Sequence, residues 1–171
     1  MYSRIIASTT NRQIFSLIAI LAVVAVGIAL TTQHVLGMQP CVWCVFQRLV
    51  CILIAFSALI GVIFTNRPMQ AISALLVVGW SIVGVSAAVA QRQAVLAQDS
   101  CALSIADKVM TWTGLDVSIP AVFEPQATCV DAAADLFGVP YEIWTLLLFV
   151  FLGLLALVAL FKPKPQSKYF Y

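Results

Sequence analysis

Charged residues are scarce in this chain of 171 residues. They make up 9% of it, whereas about a quarter of the residues in a soluble domain are charged. So few charges cannot cover a soluble globule, and a hydrophobic content of 63% excludes a disordered chain. The net charge of +2 is small and scattered, which excludes the basic surface that binds nucleic acid. The composition therefore indicates an integral membrane protein.

Four long apolar segments provide the spans that such a protein needs. A membrane-crossing helix takes about 20 mostly apolar residues, and the candidates are residues 14–32, 45–64, 71–90 and 143–161. Only the second carries a charge, at Arg48. The segments do not alternate polar and apolar residues, which favours helices over a membrane barrel. The predicted fold is an all-α, four-helix transmembrane bundle that forms a single domain.

The charges outside the spans fall into two groups. The N-terminus, the link 65–70 and the C-terminal tail carry only basic residues: Arg4, Arg12, Arg67, Lys162, Lys164 and Lys168. The segment 91–142 holds every acidic residue, together with Arg92 and Lys108: Asp99, Asp107, Asp116, Glu124, Asp131, Asp135 and Glu142. Basic short loops face the cytoplasm, so both termini are predicted inside and the loops 33–44 and 91–142 outside. A cleaved signal peptide is the alternative for the first span, which is too long for one and has no clear cleavage site.

Four of the five cysteines lie in the two predicted outer loops. Cys41 and Cys44 belong to the first loop, and Cys101 and Cys129 belong to the second. Disulfides persist in an extracellular space or a bacterial periplasm, so these cysteines are candidates for redox chemistry. Cys51 lies inside the second span, where a lone buried cysteine commonly acts as a small hydrophobic residue.

The sequence PCVWC at residues 40–44 places two thiols at the start of the second span. Pro40 suits the opening of a helix, and a thiolate in the first turn is stabilised by the unpaired N–H groups and the helix dipole. Arg48 follows Cys44 by one turn and adds a positive charge on the same face. We interpret this group as a redox-active dithiol beside a site for an electron-rich or anionic ligand. A static disulfide and half of a zinc site are the alternatives.

Cys101 and Cys129 are 28 residues apart in a loop without a long apolar run. A bridge between them would by itself be a structural staple worth about 3.5 kcal/mol on the chain-entropy model. Beside a first dithiol on the same face it becomes a second redox centre, because thiol–disulfide exchange passes oxidation from pair to pair. Residues 115–123 either lie on the membrane surface or plug this loop. His34 is a candidate polar neighbour of the ligand site.

Several motifs together resemble DsbB, the disulfide bond formation protein B family of bacterial inner membranes. They are Gln33-His34-Val35, the motif at residues 40–44, Gln47-Arg48, the pair Cys101 and Cys129, and Leu136-Phe137-Gly138 followed by Pro140 and Trp144. The resemblance covers nearly the whole chain. Its most specific part is the Cys-x-x-Cys with Arg48 at a span entrance, accompanied by a second outer pair.

The resemblance implies a protein-dithiol:quinone oxidoreductase that reoxidises a periplasmic, DsbA-like thioredoxin-fold oxidase. The partner's cysteine would attack the Cys101–Cys129 disulfide and leave the mixed disulfide on Cys101. Electrons would then pass to the Cys41–Cys44 pair through a transient bond between Cys41 and Cys129. Cys44 would face the quinone, and Arg48 would stabilise both the thiolate and the charge that develops on the quinone. The family needs no metal.

The redox potentials agree with this implication. A DsbA-like partner has a potential of about −120 mV, so its reoxidation requires an oxidant stronger than the glutathione pool. A membrane quinone is such an oxidant, and a protein must lie in the bilayer to reach it. The expected acceptor is ubiquinone or menaquinone, drawn from the quinone pool of the bacterial inner membrane, and the expected redox sites lie on the periplasmic face.

Two stretches depart from the family pattern. Some members have a His near the start of the second loop, close to the quinone, where residues 91–93 here read Gln-Arg-Gln; Arg92 is the candidate for that place. Some members also have a Trp shortly after the last cysteine, where this chain has alanines at 132–134. The acidic outer loop adds the hypothesis that the partner presents a basic or neutral surface.

Three other interpretations compete with this one. A vitamin K epoxide reductase-like enzyme would run the same class of reaction, but the motifs at 33–35, 40–44 and 47–48 fit DsbB better. A non-enzymatic membrane scaffold with two structural disulfides would leave Arg48 unexplained. A transporter using Cys-x-x-Cys is disfavoured, because the spans contain no carboxylate and no broken-helix pair.

Overall fold

The computed structural model describes residues 11–98, 100–133, 135–136 and 138–162. Arg4, Asp99, Lys164 and Lys168, which entered the prediction of orientation, lie outside the described residues. Four long helices dominate the rest: α1 (Asn11–Leu36), α2 (Val42–Ile63), α3 (Arg67–Leu96) and α7 (Tyr141–Phe161). Between α3 and α7 lie α4 (Ile105–Thr113), α5 (Leu115–Ser118), α6 (Pro120–Phe123) and an antiparallel pair of two-residue strands, β1 (Asp135–Leu136) and β2 (Val139–Pro140).

The four long helices confirm the predicted all-α membrane bundle. Each is long and apolar enough to cross a membrane. With 30 residues, α3 is about 45 Å long at 1.5 Å per residue, so it exceeds a hydrocarbon core of about 30 Å. Helix α3 therefore extends past residue 90, where the predicted span ends, and residues 91–93 belong to the helix rather than to the loop.

Two glycines direct the chain at turns that matter for the site. Gly37 has a φ of +67°, and the N–H of Met38 donates to the carbonyl of Thr32 at 3.2 Å, so a left-handed glycine follows the end of α1. Gly114 has a φ of +62° and ends α4 in the same left-handed conformation, which strains residues other than glycine. These two turns lead the chain into Cys41 and into α5.

Close packing of small residues holds the bundle together. Helix α2 packs against α1 and α3, α3 packs against α7, and α1 also touches α7. A Cβ at Gly84 would overlap the buried ring of Phe149, and a Cβ at Gly61 would overlap Phe15. Many large apolar side chains on the outer faces are exposed, such as Ile20 and Phe56, as expected of surfaces that face lipid.

A second hydrophobic cluster lies at the end of the bundle where α2 begins. It brings together buried residues from the start of α2 and from the segment between α3 and α7: Cys41, Val42, Val45, Cys101, Ala106, Met110, Phe123 and Cys129. The backbone N–H of Gln126 also donates to the carbonyl of Pro40 at 2.9 Å. The long connecting segment therefore folds over the N-terminus of α2. We call this group the outer cluster.

Candidate redox-active site

The outer cluster contains a disulfide between Cys101 and Cys129. Their Cα atoms are 5.8 Å apart, and both residues are buried. Cys101 has a φ of +64°, a left-handed conformation that is uncommon for residues other than glycine. Cys129 lies in a turn after α6. Neither cysteine of this pair belongs to a helix, so the disulfide and the surrounding packing hold them in place.

The second pair, Cys41 and Cys44, begins α2. Cys41 is the N-cap and Cys44 lies in the first turn, and the sulfur of Cys41 accepts a hydrogen bond from the backbone N–H of Cys44 at 3.4 Å. The two sulfurs lie 2.9 Å apart without a disulfide. Cys41 is fully buried, whereas Cys44 is partly exposed. The sulfur–sulfur hydrogen bond, followed by burial, raises the pKa of the Cys41 thiol, so Cys41 holds its proton at neutral pH.

Two buried glutamines on neighbouring helices form a hydrogen-bonded chain that ends at the sulfur of Cys44. The side-chain N–H of Gln91 on α3 donates to the sulfur of Cys44 at 3.4 Å. The side-chain oxygen of Gln91 accepts from the side-chain N–H of Gln47 on α2 at 2.9 Å. Only 3% of Gln91 and 4% of Gln47 is exposed. Cys44 therefore has a neutral hydrogen-bond donor directed at its sulfur.

Arg48 lies one turn along α2 and is 6% exposed. Its Nη1 donates to the side-chain oxygen of Gln33 at 2.6 Å and to the carbonyl of Val122 at 2.8 Å, and its Nη2 donates to the carbonyl of Ala29 at 3.3 Å. Among the described residues, its Nε has no hydrogen-bond partner. The guanidinium interacts favourably with the charge of a Cys44 thiolate. A buried cation is costly in a membrane, and the three acceptors of its hydrogen bonds offset part of that cost here.

A cavity of about 340 Å³ lies between α1, α2 and α7 and includes both Cys44 and Arg48 in its wall. Most of the wall is apolar, with side chains such as Val24, Ile28 and Leu148. The polar side chains of the wall also include Gln47, Thr32, Tyr141 and Thr145. Its volume lies at the lower end of the range of sites for small organic ligands, about 300 to 1,000 Å³. The cavity therefore has a thiol and a cation in a wall that is otherwise mostly apolar.

Two of the sequence-predicted ligand-site residues lie outside this cavity wall. His34 is exposed, and its Nδ1 lies 2.9 Å from the carbonyl of Leu30 on its own helix. Arg92 forms an ion pair with Glu142 at 3.0 Å, in which the carboxylate is 4% exposed and the guanidinium side chain 42% exposed. By contrast, Cys51 lines the cavity and is buried. The segment 115–123 forms α5 and α6, and its Phe123 packs into the outer cluster.

Sequence reasoning missed the roles of Gln33, Gln47 and Gln91. The first two were noticed only as parts of motifs, and Gln91 only as part of a departure from the family pattern. A usable signal was present, because buried polar side chains in membrane helices are expensive and commonly functional. Tyr141, at the start of α7, was also missed; nothing in its surroundings in the sequence sets it apart.

No group of three or more His, Cys, Asp or Glu side chains in the described part of the chain is placed to hold a metal ion. The zinc alternative therefore finds no ligand set among those residues. Four membrane-compatible helices, with two cysteine pairs close together at one end of the bundle, are the features expected of a multi-pass membrane protein that forms disulfides.

Comparison with known proteins specifies the class. Residues 11–159 match the family described as disulfide bond formation protein DsbB, and the chain belongs to this family. Disulfide bond formation protein B 2 of Pseudomonas aeruginosa is 29% identical over 154 residues, which cover 87% of this chain and 90% of the relative. Disulfide bond formation protein B of Histophilus somni is 31% identical over 143 residues, covering 81% and 80%. The corresponding protein of Polaromonas sp. is 29% identical over 152 residues, covering 86% and 89%.

Proposed function

We propose that this protein takes electrons from the dithiol of a periplasmic DsbA-like oxidase and delivers them to a membrane quinone. The observation that carries the proposal is the double position of Cys44. Its sulfur lies 2.9 Å from that of Cys41, and it also forms part of the wall of the cavity that contains Arg48. Electrons that arrive on the helix pair are therefore already at the edge of an apolar chamber.

The residues of the cavity fit a quinone. The apolar wall suits a ring and the beginning of an isoprenoid tail, and the cationic side chain of Arg48 in the same wall suits a carbonyl oxygen on which negative charge develops. A quinone supplies a two-electron, two-proton acceptor when it is bound. Cys44 supplies the nucleophilic sulfur. Arg48 stabilises the negative charge of the Cys44 thiolate and the negative charge that would develop on the quinone. Ubiquinone and menaquinone both meet this description.

Exchange between the pairs proceeds by balanced thiol–disulfide steps. A thiolate of the reduced partner attacks the loop disulfide, bonds to Cys101 and releases the Cys129 thiolate. Cys129 then attacks Cys41 of an oxidised helix pair and releases the Cys44 thiolate.

Two further steps complete the transfer. The partner's second cysteine resolves its mixed disulfide and leaves as a disulfide, which frees Cys101. Cys101 then attacks Cys129, restores the loop disulfide and releases Cys41. The net result is one partner disulfide formed and one dithiol at Cys41 and Cys44, with two electrons moved.

The proposal includes a place in the cell. Residues 1–171 form a single domain of the bacterial inner membrane, with both termini in the cytoplasm and the outer cluster at the periplasmic face. Membership of the DsbB family and the four membrane-compatible helices support this arrangement. The same membership supports a DsbB-type enzyme over a vitamin K epoxide reductase-like one. A scaffold with two inert disulfides would not require a cation and a thiol in one cavity.

Turnover with purified components tests the proposal. The protein in detergent is mixed with a soluble quinone and a reduced DsbA-like protein, and the quinone absorbance is followed. Cys44→Ser removes the sulfur that meets the quinone, so turnover falls to the uncatalysed background. Ser86→Ala, an exposed change on α3, is the control and leaves turnover unchanged. Wild-type protein that reduces no quinone while its folded state is intact contradicts the proposal.

Arg48→Ala separates ligand binding from partner exchange. A hydrogen bond to a charged group contributes roughly 1.5–3 kcal/mol, so the apparent KM for quinone rises by about 10- to 100-fold. The rate at which the partner reduces the loop disulfide should change less, because the hydrogen bond from Arg48 to this segment is made at Val122, seven residues before Cys129. Arg67→Ala, at the beginning of α3, is the matched control. An unchanged KM in Arg48→Ala contradicts the role assigned to Arg48.

A further inference from the structure

We propose that Gln91 and Gln47 act together as positioning residues that keep the sulfur of Cys44 oriented and anionic. Gln91 supplies the hydrogen bond to the sulfur, and Gln47 fixes the direction in which Gln91 donates it. The catalytic consequence rests on the proposed function, in which Cys44 passes electrons to quinone. The effect on the thiol itself does not, and it is measurable without quinone or partner.

The geometry gives each amide a defined orientation. The N–H of Gln91 lies 3.4 Å from the Cys44 sulfur, and the oxygen of the same amide accepts from Gln47 at 2.9 Å. A thiolate can only accept hydrogen bonds, whereas an amide has one accepting and one donating end. If Cys44 is a thiolate, this orientation lets the N–H of Gln91 donate to the sulfur and the N–H of Gln47 donate to the oxygen of Gln91, so each acceptor meets a donor. Because both glutamines are buried, water cannot readily take the place of either.

The recorded hydrogen bonds of Arg48 go to other groups, so a separate donor serves the sulfur. Three of the four Nη hydrogens of the guanidinium go to Gln33, Val122 and Ala29. Arg48 acts on Cys44 through its charge. In the described part of the chain, its hydrogen bonds go to other residues and not to that sulfur. The hydrogen bonds to the Cys44 sulfur come from Cys41 and Gln91. Gln91 and Arg48 therefore have different tasks: Gln91 directs one sulfur, and Arg48 sets the charge of the whole cavity wall.

Gln91 is also suited to this task because it does not titrate. An imidazole at such a position would gain or lose charge between about pH 5 and 8, and its effect on the neighbouring sulfur would change with it. The amide donates at every pH at which the protein is folded. The reactivity of Cys44 then depends on its own proton and that of Cys41, without a third titrating group among its hydrogen-bond partners.

The experiment measures alkylation of Cys44 in reduced protein in detergent, with iodoacetamide and mass spectrometry across a pH series. Gln91→Met keeps the length of the side chain but removes the donor, and we expect alkylation at pH 7 to slow by about tenfold. The profile moves to higher pH. Gln91→Glu replaces the donor with a carboxylate and slows alkylation further. Gln47→Met leaves the donor but frees its orientation, so its effect is smaller.

Gln93→Ala is the matched control, because Gln93 is exposed on the same helix two residues further on. Its alkylation profile coincides with that of the wild type. The melting curve of each variant verifies folding, and Gln91→Glu replaces Gln91→Met if the latter does not fold. A Gln91→Met or Gln91→Glu profile that coincides with the wild-type profile in folded protein overturns the inference.

Turnover then distinguishes the inference from the proposed function. We expect Gln91→Met to lower kcat with little change in the KM for quinone, in contrast to Arg48→Ala. If wild-type protein shows no quinone reduction but the alkylation profile shifts as described, the proposed function fails and the positioning role stands. If turnover is normal and the profiles coincide, the positioning role fails and the proposed function stands.

Discussion

The two cysteine pairs share one hydrophobic cluster but are held by different kinds of structure. Cys41 and Cys44 begin a long helix, and a neighbouring helix supplies the donor Gln91. Cys101 and Cys129 lie outside the helices, and Cys101 has a left-handed backbone conformation. A rigid helix can fix a donor and a charge at a sulfur to within a fraction of an ångström. A loop gives up that control but can present a disulfide to another protein.

Packing compensates for the irregular backbone around the loop pair. Met110 and Phe123 are buried in the outer cluster, which also contains Cys41, Cys101 and Cys129. Two hydrogen bonds join the same segment to α2 and to the residue just before it. Arg48 donates to the carbonyl of Val122, and the carbonyl of Pro40 accepts from the N–H of Gln126. The position of the loop pair relative to the helix pair therefore depends on tertiary contacts rather than on local conformation.

The largest effect that separates the pairs is expected from Cys101→Ser. In the proposed mechanism Cys101 is the sulfur that receives the partner, so its loss should reduce quinone reduction driven by the DsbA-like protein to background. A small reductant such as dithiothreitol reaches Cys44 directly, because that residue is partly exposed, and quinone reduction driven by it persists. Stopped-flow absorbance with each reductant measures both rates.

Ser100→Ala, an exposed change beside Cys101, controls for local disturbance of the loop and retains both activities. Equal loss of the two activities in Cys101→Ser would mean that the loop disulfide is required for the structure of the helix pair. The division of tasks between the pairs would then be wrong.

A smaller, pH-dependent effect is expected within the helix pair. The hydrogen bond to Cys44 and burial raise the pKa of Cys41, so this thiol is protonated at neutral pH and forms the thiolate only as the pH rises. Because the thiolate is the nucleophile, alkylation of Cys41 in reduced protein should increase by about tenfold per pH unit up to at least pH 9. Peptide mass spectrometry after timed quenching measures the rate of Cys41 alkylation at each pH.

Cys44→Ala tests the cause. It removes the sulfur–sulfur hydrogen bond, which is the largest contribution to the raised pKa of Cys41. Cys41 should then react faster at pH 8 than it does in the wild type. A plateau of Cys41 alkylation below pH 8 in wild-type protein would show that the proton is not held in this way.

The fold was predictable because the length and apolar composition of each segment are local properties of the sequence. Apolar segments of membrane-spanning length specify helices directly, and the described structure has a long helix at each of the four. The positions of the cysteines at the start of α2 followed equally from local spacing. The meeting of the two pairs, in contrast, depends on how the connecting segment folds over α2, and local sequence patterns do not determine that path.

The polar residues around the site include some that sequence reasoning did not single out. His34 and Arg92, the predicted neighbours of the ligand, lie outside the cavity wall, whereas the residues immediately before them, Gln33 and Gln91, bond to Arg48 and Cys44. Helix α3 does not end at residue 90, so its buried face continues from Gly84 and Ala88 to Gln91. The next residue is rotated by about 100° and meets Glu142 instead. An extended helical period would have assigned position 91 to the buried face.

The smallest expected effect comes from the packing that joins the two pairs. Phe123 is 5% exposed in the outer cluster, and it follows the residue whose carbonyl accepts from Arg48. Phe123→Ala opens a cavity in the outer cluster, which contains both Cys41 and Cys129, so we expect Cys129 to be less well aligned with Cys41. A displacement of about 1 Å can slow a reaction by up to about 100-fold, and partial collapse of the cavity should limit the loss here to about tenfold.

The measured quantity is the rate of electron transfer from the loop pair to the helix pair after mixing with reduced partner, read by acid quench and thiol labelling. Trp112→Ala is the matched control, since its ring is 85% exposed on α4 and its loss leaves the cluster intact. The first step, reduction of the loop disulfide by the partner, should be less affected than transfer between pairs. Slowing of both steps by the same factor would mean that Phe123 supports the loop as a whole rather than the alignment of one pair with the other.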